Sequence, residues 1–129
     1  MSLANATVTV TLTVSDLDRA KAFYSEKLGL TVAPMEVEDP SGGVLFQAGN
    51  GTQLYIYNSG APKATNTVAS FKVDDVLATV NELKAKGVSF ESYDMEQLKT
   101  DENNIATFEG LQAAWFKDSE GNILAVANQ

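Results

Sequence analysis

The chain has 129 residues, a net charge of −8 from 9 basic and 17 acidic side chains, and neither cysteine nor histidine. Disulfides, thiolate nucleophiles, Cys-ligated metal sites and imidazole catalysis are thereby excluded, and no basic stripe exists to displace counterions from nucleic acid. A hydrophobic fraction of 44%, a mean hydropathy of −0.10, no apolar run near the roughly 20 residues of a membrane helix and no leader-like start predict one cytoplasmic domain over residues 1–129, away from membranes and nucleic acid.

Thr7 to Val14 alternates threonines with Val8, Val10, Leu12 and Val14, the period of a half-buried strand. Ser15 and Asp16 offer caps for a helix running to about Leu28. Its apolar stripe is Leu17, Ala20, Tyr24 and Leu28, with Phe23 beside them, and Gly29 closes it. Thr31 to Val37 reads as a second strand and Asp39 to Gly43 as a turn. Val44–Ala48 and Thr52–Tyr57 are strands joined by Asn50-Gly51, a hairpin signal. Residues 58–66 form a linker. Further strands are expected at Thr67–Val73, Val88–Tyr93, Ile105–Phe108, Gln112–Phe116 and Ile123–Ala127, with a helix over Asp75–Lys86 striped by Val76, Val80 and Leu83. A polar stretch, residues 94–104, interrupts this order and has the length of a lid or ligand loop. Asp118 to Asn122 is turn chemistry.

The second half repeats the first. At one constant offset Leu12 falls on Phe71, Val14 on Val73, Asp16 on Asp75 and Leu17 on Val76. After one deleted residue Gly29 falls on Gly87 and Leu30 on Val88. The fold expected is α+β: two tandem βαβββ modules, residues 7–57 and 67–128, with any shared site lying between them.

The run Val14-Ser15-Asp16-Leu17-Asp18-Arg19-Ala20, followed by Phe23-Tyr24 and Leu28-Gly29-Leu30, resembles the vicinal oxygen chelate superfamily. So do Val73-Asp74-Asp75-Val76 and the ending from Trp115 to Leu124, which is similar to an FxDPDGNxxE pattern. That superfamily includes glyoxalase I, bleomycin- and fosfomycin-resistance proteins and extradiol dioxygenases. The resemblance covers essentially the whole chain and implies curved mixed sheets around a shared cleft, and a homodimer. It also implies four metal-ligand positions, one on each of four strands: Thr9, Tyr55, Val68 and Ala125. Valine and alanine offer no donor atom, and threonine with tyrosine alone makes no divalent site. The chain therefore reads as a metal-ligand-deficient member, with no metal, no cofactor and no assigned catalytic residue.

Alternation supplies the expected cleft lining. With Val10, Leu12 and Val14 under the helix, Thr9, Thr11 and Thr13 face the other way. Gln53, Tyr55 and Tyr57 join them from the hairpin, Val68, Ser70 and Lys72 from the fifth strand, and Ala125 from the last. Tyr93 stands at the start of the interrupting stretch, beside Glu91 and Asp94, where carboxylates suit a cationic ligand. Trp115 is the single tryptophan and a candidate ligand wall. Tyr55 and Tyr57 are candidates to stack on a planar ligand and donate hydrogen bonds, and Lys72 to hold an anion or act as a base.

The reading that follows is a metal-free binder of a small organic molecule, cationic or aromatic in character. One alternative is a metal-independent glyoxalase-like lyase or isomerase using Lys72, Tyr55 or a loop carboxylate as base. A further alternative is a regulatory or interaction domain without a working site.

Overall fold

The structure, a computed structural model, describes residues 3–35, 42–63 and 65–129. The chain divides into two compact units, Met1–Pro62 and Lys63–Gln129. Both are mixed α+β, and each is built on a four-stranded sheet.

The first unit contains β1 (Thr9–Val14), α1 (Leu17–Ala22), β2 (Thr31–Val32), β3 (Val44–Gln47) and β4 (Gln53–Asn58), in the sheet order β1-β4-β3-β2. β1 and β4 run parallel, while β3 pairs antiparallel with β4 and β2. The expected threonine alternation holds. Leu12, Val14, Phe46, Leu54 and Ile56 are buried on one face with Ala20, Phe23 and Tyr24 of the helical segment. The Phe23, Tyr24 and Phe46 rings form a chain of contacts with centroid separations of 5.5 and 5.7 Å.

Asp16, rather than Ser15, is the N-cap; its carboxylate accepts from the Arg19 amide at 3.0 Å. The helix then departs from the expected regular run to Leu28. After Ala22 it widens into a π-helical turn over Phe23–Lys27, with the Leu28 amide bonding back to the Phe23 carbonyl at 3.2 Å. This wider turn belongs to the segment in which the adjacent Phe23 and Tyr24 are both buried.

The Asn50-Gly51 hairpin forms as expected, with Asn50 at φ 56° and the Ala48 amide bonded to the Thr52 carbonyl. The second strand is shorter than expected on the described residues. Residues 36 and 37 of it, and Asp39, Pro40 and Ser41 of the expected turn, lie outside the described residues.

Gly43 carries a contact that only a glycine permits. A Cβ there would overlap the Oη and Cζ of Tyr55 and come within 2.8 Å of its Cε1. The Tyr55 hydroxyl is buried and has no hydrogen-bond partner among the described residues. Gly43→Ala is therefore expected to lower the unfolding free energy by about 1–3 kcal/mol through overpacking. Tyr55→Phe is expected to leave stability unchanged or raise it by up to about 1 kcal/mol, because a buried unpaired hydroxyl is removed. Urea unfolding of the two single variants and the double variant checks both. The cost of Gly43→Ala should fall in the Tyr55→Phe background, and an unchanged cost would place the clash elsewhere.

The second unit contains β5 (Thr67–Lys72), α2 (Val76–Ala85), a small hairpin of β6 (Asp94–Met95) and β7 (Leu98–Lys99), then β8 (Ala106–Phe108), β9 (Leu111–Lys117) and β10 (Ile123–Ala127). Its main sheet has the order β5-β10-β9-β8, with β5 and β10 parallel. The first strand thus lies beside the last in both units, as the repeat implies. Asp75 caps α2 as Asp16 caps α1, accepting from the Ala78 amide at 3.0 Å. At the other end Gly87, at φ 90°, lets its own amide bond to Lys84 and that of Val88 to Leu83. That is the left-handed closure which Gly87 makes accessible. Val76, Val80 and Leu83 of α2 are buried, as are Ala114, Phe116, Leu124 and Val126 of the sheet.

The expected strand at Val88–Tyr93 is reduced to one bridge, Phe90 to Phe116. β8 pairs with the opening residues of β9 at 111–113, and Phe90–Glu91 meet its far end at Trp115 and Phe116. The neighbour on that side of β9 is therefore made of two pieces. Between them the chain leaves the sheet and builds the β6–β7 hairpin inside the stretch that reads as an interruption of the repeat. Among the described residues no helix is long and apolar enough to cross a membrane.

Candidate functional site

The face of the second sheet opposite α2 can be followed residue by residue from the register. Phe90 and Phe116 point to the core side with ring centroids 5.3 Å apart and planes tilted by 57°, so Glu91, Trp115 and Lys117 project from the other face. Across β9 and β10, Trp115 stands opposite Ala125, and Ala125 stands opposite Ser70 of β5. The Glu91 amide donates to the Trp115 carbonyl at 2.8 Å. Ser70, Ala125, Trp115 and Glu91 thus form one lateral row. Lys72 lies in the next row, opposite Ala127.

Beside Trp115 is an open cavity of about 330 Å3. Its aromatic wall is Trp115 and Tyr93, an edge-to-face pair with centroids 5.5 Å apart. Met95 and Leu98 of the β6–β7 hairpin supply a second, apolar wall, and Ile123 a third. Thr65, Asn66 and Thr67 complete it with hydroxyl and amide groups. The hairpin is tied at its base. The Tyr93 amide donates to the Thr100 hydroxyl at 2.9 Å, and the Thr100 amide to the Tyr93 carbonyl at 2.9 Å. Burial, reinforced by the Glu91 carboxylate, pushes the Tyr93 phenol above its ordinary range, so its hydroxyl stays a neutral donor.

Of the residues expected to line a cleft, Tyr93 and Trp115 come together in this cavity, with Ser70 and Ala125 in the row that ends on Trp115. Val68 does not line it. A β-bulge falls between the Thr67–Ile123 and Ala69–Leu124 pairs, leaving Val68 unpaired and 45% exposed. The period-two count therefore slips by one residue, and Thr67 lines the cavity instead. No local signal in the sequence marks this bulge.

In the first unit Thr9, Thr11, Gln53, Tyr55 and Tyr57 share the face opposite the core. Thr9 pairs with Gln53 and Thr11 with Tyr55. The Thr9 hydroxyl lies 3.5 Å from the Gln53 amide oxygen. Tyr55 and Tyr57 stack on each other at 6.0 Å with planes 15° apart, and the Tyr55 hydroxyl is shut against Gly43. The expectation that Tyr55 presents its hydroxyl to a ligand is thereby corrected, because the glycine admits the phenol tip into a buried position. Among the described residues no three or more Asp or Glu side chains gather as a metal site.

The family model for the glyoxalase/bleomycin resistance protein/dioxygenase superfamily matches residues 7–126. The chain belongs to this superfamily. Among its relatives is the uncharacterized protein YetH of Bacillus subtilis (strain 168), 30% identical over 122 residues that cover 89% of this chain and 91% of YetH. Similar solved structures include a lactoylglutathione lyase from Agrobacterium tumefaciens, with TM-score 0.68 and 21% identity over 98% of this chain and 95% of the other. Another is TnmS3, an antibiotic binding protein from Streptomyces sp. CB03234, with TM-score 0.68 and 20% identity over 98% and 97%. At these identities the two structures establish the superfamily fold. The two units, each with a helix capped by an aspartate, Asp16 or Asp75, are this chain's version of it.

Proposed function

We propose that this superfamily member is a binding protein that holds a planar, mainly apolar small molecule in the Tyr93–Trp115 pocket without a metal ion. The observation that carries the reading is the edge-to-face pair of Trp115 and Tyr93 on a cavity of about 330 Å3, with Met95 and Leu98 facing it from a hairpin. Pockets for small organic ligands begin at roughly this volume and combine apolar walls with a few placed polar groups. The metal-free part rests on donor chemistry. Two of the four positions where the superfamily's metal enzymes place ligands are Val68 and Ala125, and a third, Tyr55, has its oxygen packed on Gly43. Those residues do not fit a divalent ion.

An open pocket also weighs against a domain that has lost its site. The lyase or isomerase alternative needs a desolvated base, and its lysine candidate, Lys72, is exposed beside Ala127. The antibiotic binding neighbour is consistent with a binding role. The same reading takes the protein as a cytoplasmic homodimer, by analogy with the superfamily.

Trp115 is the chain's single tryptophan and reports on the pocket directly. Titration with naphthylmethanol should quench or shift its emission with saturation, and the protein should behave identically after exhaustive chelation. Emission unaffected by any such aromatic, or binding that disappears with chelator and returns with a divalent ion, would overturn the proposal.

A further inference from the structure

An ion pair lies directly beside the aromatic wall. Lys117 Nζ is 3.8 Å from Glu91 Oε1, longer than a hydrogen bond, with the side chains 55% and 34% exposed. Glu91 sits opposite Trp115 in the register, and Lys117 sits opposite Ile123, so both adjoin residues that line the pocket. Glu91 and Lys117 form a diagonal pair on the sheet face that carries Trp115, and Tyr93 meets that same Trp115 edge-to-face.

We propose that Glu91 is the specificity-determining residue of this pocket, which takes an aromatic amine: the ring against Trp115 and Tyr93, the ammonium on the Glu91 carboxylate in place of Lys117. The inference rests on the pocket reading above and adds to it the charge of the ligand. Three observations favour a cation over an anion. Glu91 is the less exposed partner and lies in the same row as Trp115, whereas Lys117 extends further toward solvent on a flexible stem. The Glu91 carboxylate already acts on the Tyr93 phenol, so its field reaches the aromatic wall. Asp94, the next residue after Tyr93, and the net charge of −8 add to the same sign. An ammonium over the Trp115 or Tyr93 face also gains from the negative π face of the ring. The loose contact makes Lys117 an internal competitor: it neighbours Glu91 in the free protein and gives way to the ligand's ammonium.

Calorimetric titration of the full chain with three probes of one shape separates the possibilities: naphthylmethylamine, naphthylmethanol and naphthoate. The amine should bind about tenfold more tightly than the alcohol, the difference of about 1.4 kcal/mol expected of one partly desolvated charge pair, and naphthoate should bind most weakly. The amine's advantage should shrink with added salt while the alcohol's affinity holds. Glu91→Gln should abolish the amine's advantage and leave the alcohol unaffected. Lys117→Met should strengthen amine binding, because the competing cation is gone. Equal binding of amine and alcohol, an advantage that survives Glu91→Gln, or weaker amine binding in Lys117→Met would each overturn the Glu91 assignment. The last result would mark Lys117 as a ligand contact. Failure of all three probes to bind would instead overturn the pocket reading beneath it.

Discussion

Asp118→Ala is expected to lower the unfolding free energy by about 3–4 kcal/mol, the largest stability loss anticipated from a polar substitution in this chain. Asp118 is only 6% exposed. Its Oδ1 accepts from the Glu120 and Asn122 amides at 2.8 Å each, and its Oδ2 from the Asn122 side-chain amide at 2.9 Å. Hydrogen bonds to a charged acceptor contribute about 1.5–3 kcal/mol apiece, and their loss leaves donors stranded in a buried turn. The turn also sets the start of β10, since the Asp118 amide bonds to the Asn122 carbonyl at 3.0 Å just before Ile123. β10 is the central strand that joins β5 to β9, so an error at its start reaches the whole sheet. Asp118→Asn keeps one side-chain acceptor and should lose roughly half as much. Urea denaturation with an unchanged m-value reads the difference. A loss below about 1 kcal/mol for the alanine variant would show that other groups satisfy the stranded amides equally well.

Trp115→Ala is expected to weaken naphthylmethanol and naphthylmethylamine binding by about a hundredfold, the scale of a buried aromatic hot spot. The substitution removes the ring that forms the pocket's aromatic wall and deprives Tyr93 of its edge-to-face partner at 5.5 Å. Trp115→Phe keeps an aromatic face and should lose no more than about tenfold. The tryptophan signal is gone in both variants, so calorimetry provides the affinities and circular dichroism confirms that the sheet persists. Binding within about threefold of the parent in Trp115→Ala would place the ligand away from this pocket.

The sequence reveals those features whose cause is local. Asp16 and Asp75 cap helices because a short carboxylate reaches the amide three residues on, and the same chemistry appears twice at matching places in the repeat. Asn50-Gly51 makes its hairpin because both residues accept positive φ. Leu12, Val14, Leu54 and Ile56 reach the core because period two holds through β1 and β4. The pocket depends on events that are not local. The bulge at Val68 is a property of the β5–β10 pairing, and it exchanges Val68 for Thr67 in the lining. Met95 and Leu98 belong to a run, Asp94 to Lys99, too short and mixed in pattern to declare a hairpin. The bridge at Phe90 replaces a strand because the chain departs from the sheet at that point, and the departure brings Met95 and Leu98 to the pocket. Tyr93 and Trp115 are recognisable as candidates by residue type, but their partnership is a tertiary fact. So is the approach of Tyr55 to Gly43.

The π-helical turn at Phe23–Lys27 bears on how the duplicated unit changed over time. Between its capping aspartate and its closing glycine, the first copy carries one residue more than the second: Asp16 to Gly29 against Asp75 to Gly87. The wide turn lies within that interval, and it is a form of backbone that houses a single surplus residue while the flanking helix stays in phase. An insertion or deletion in this helix is therefore absorbed before the next strand begins. The same event inside β1 would rotate Thr9, Thr11 and Thr13 toward the core and expel Leu12 and Val14. Within the strand–helix part of the repeat, the helix takes up the one-residue difference in length, as the β6–β7 hairpin takes up the longer one further along the second copy.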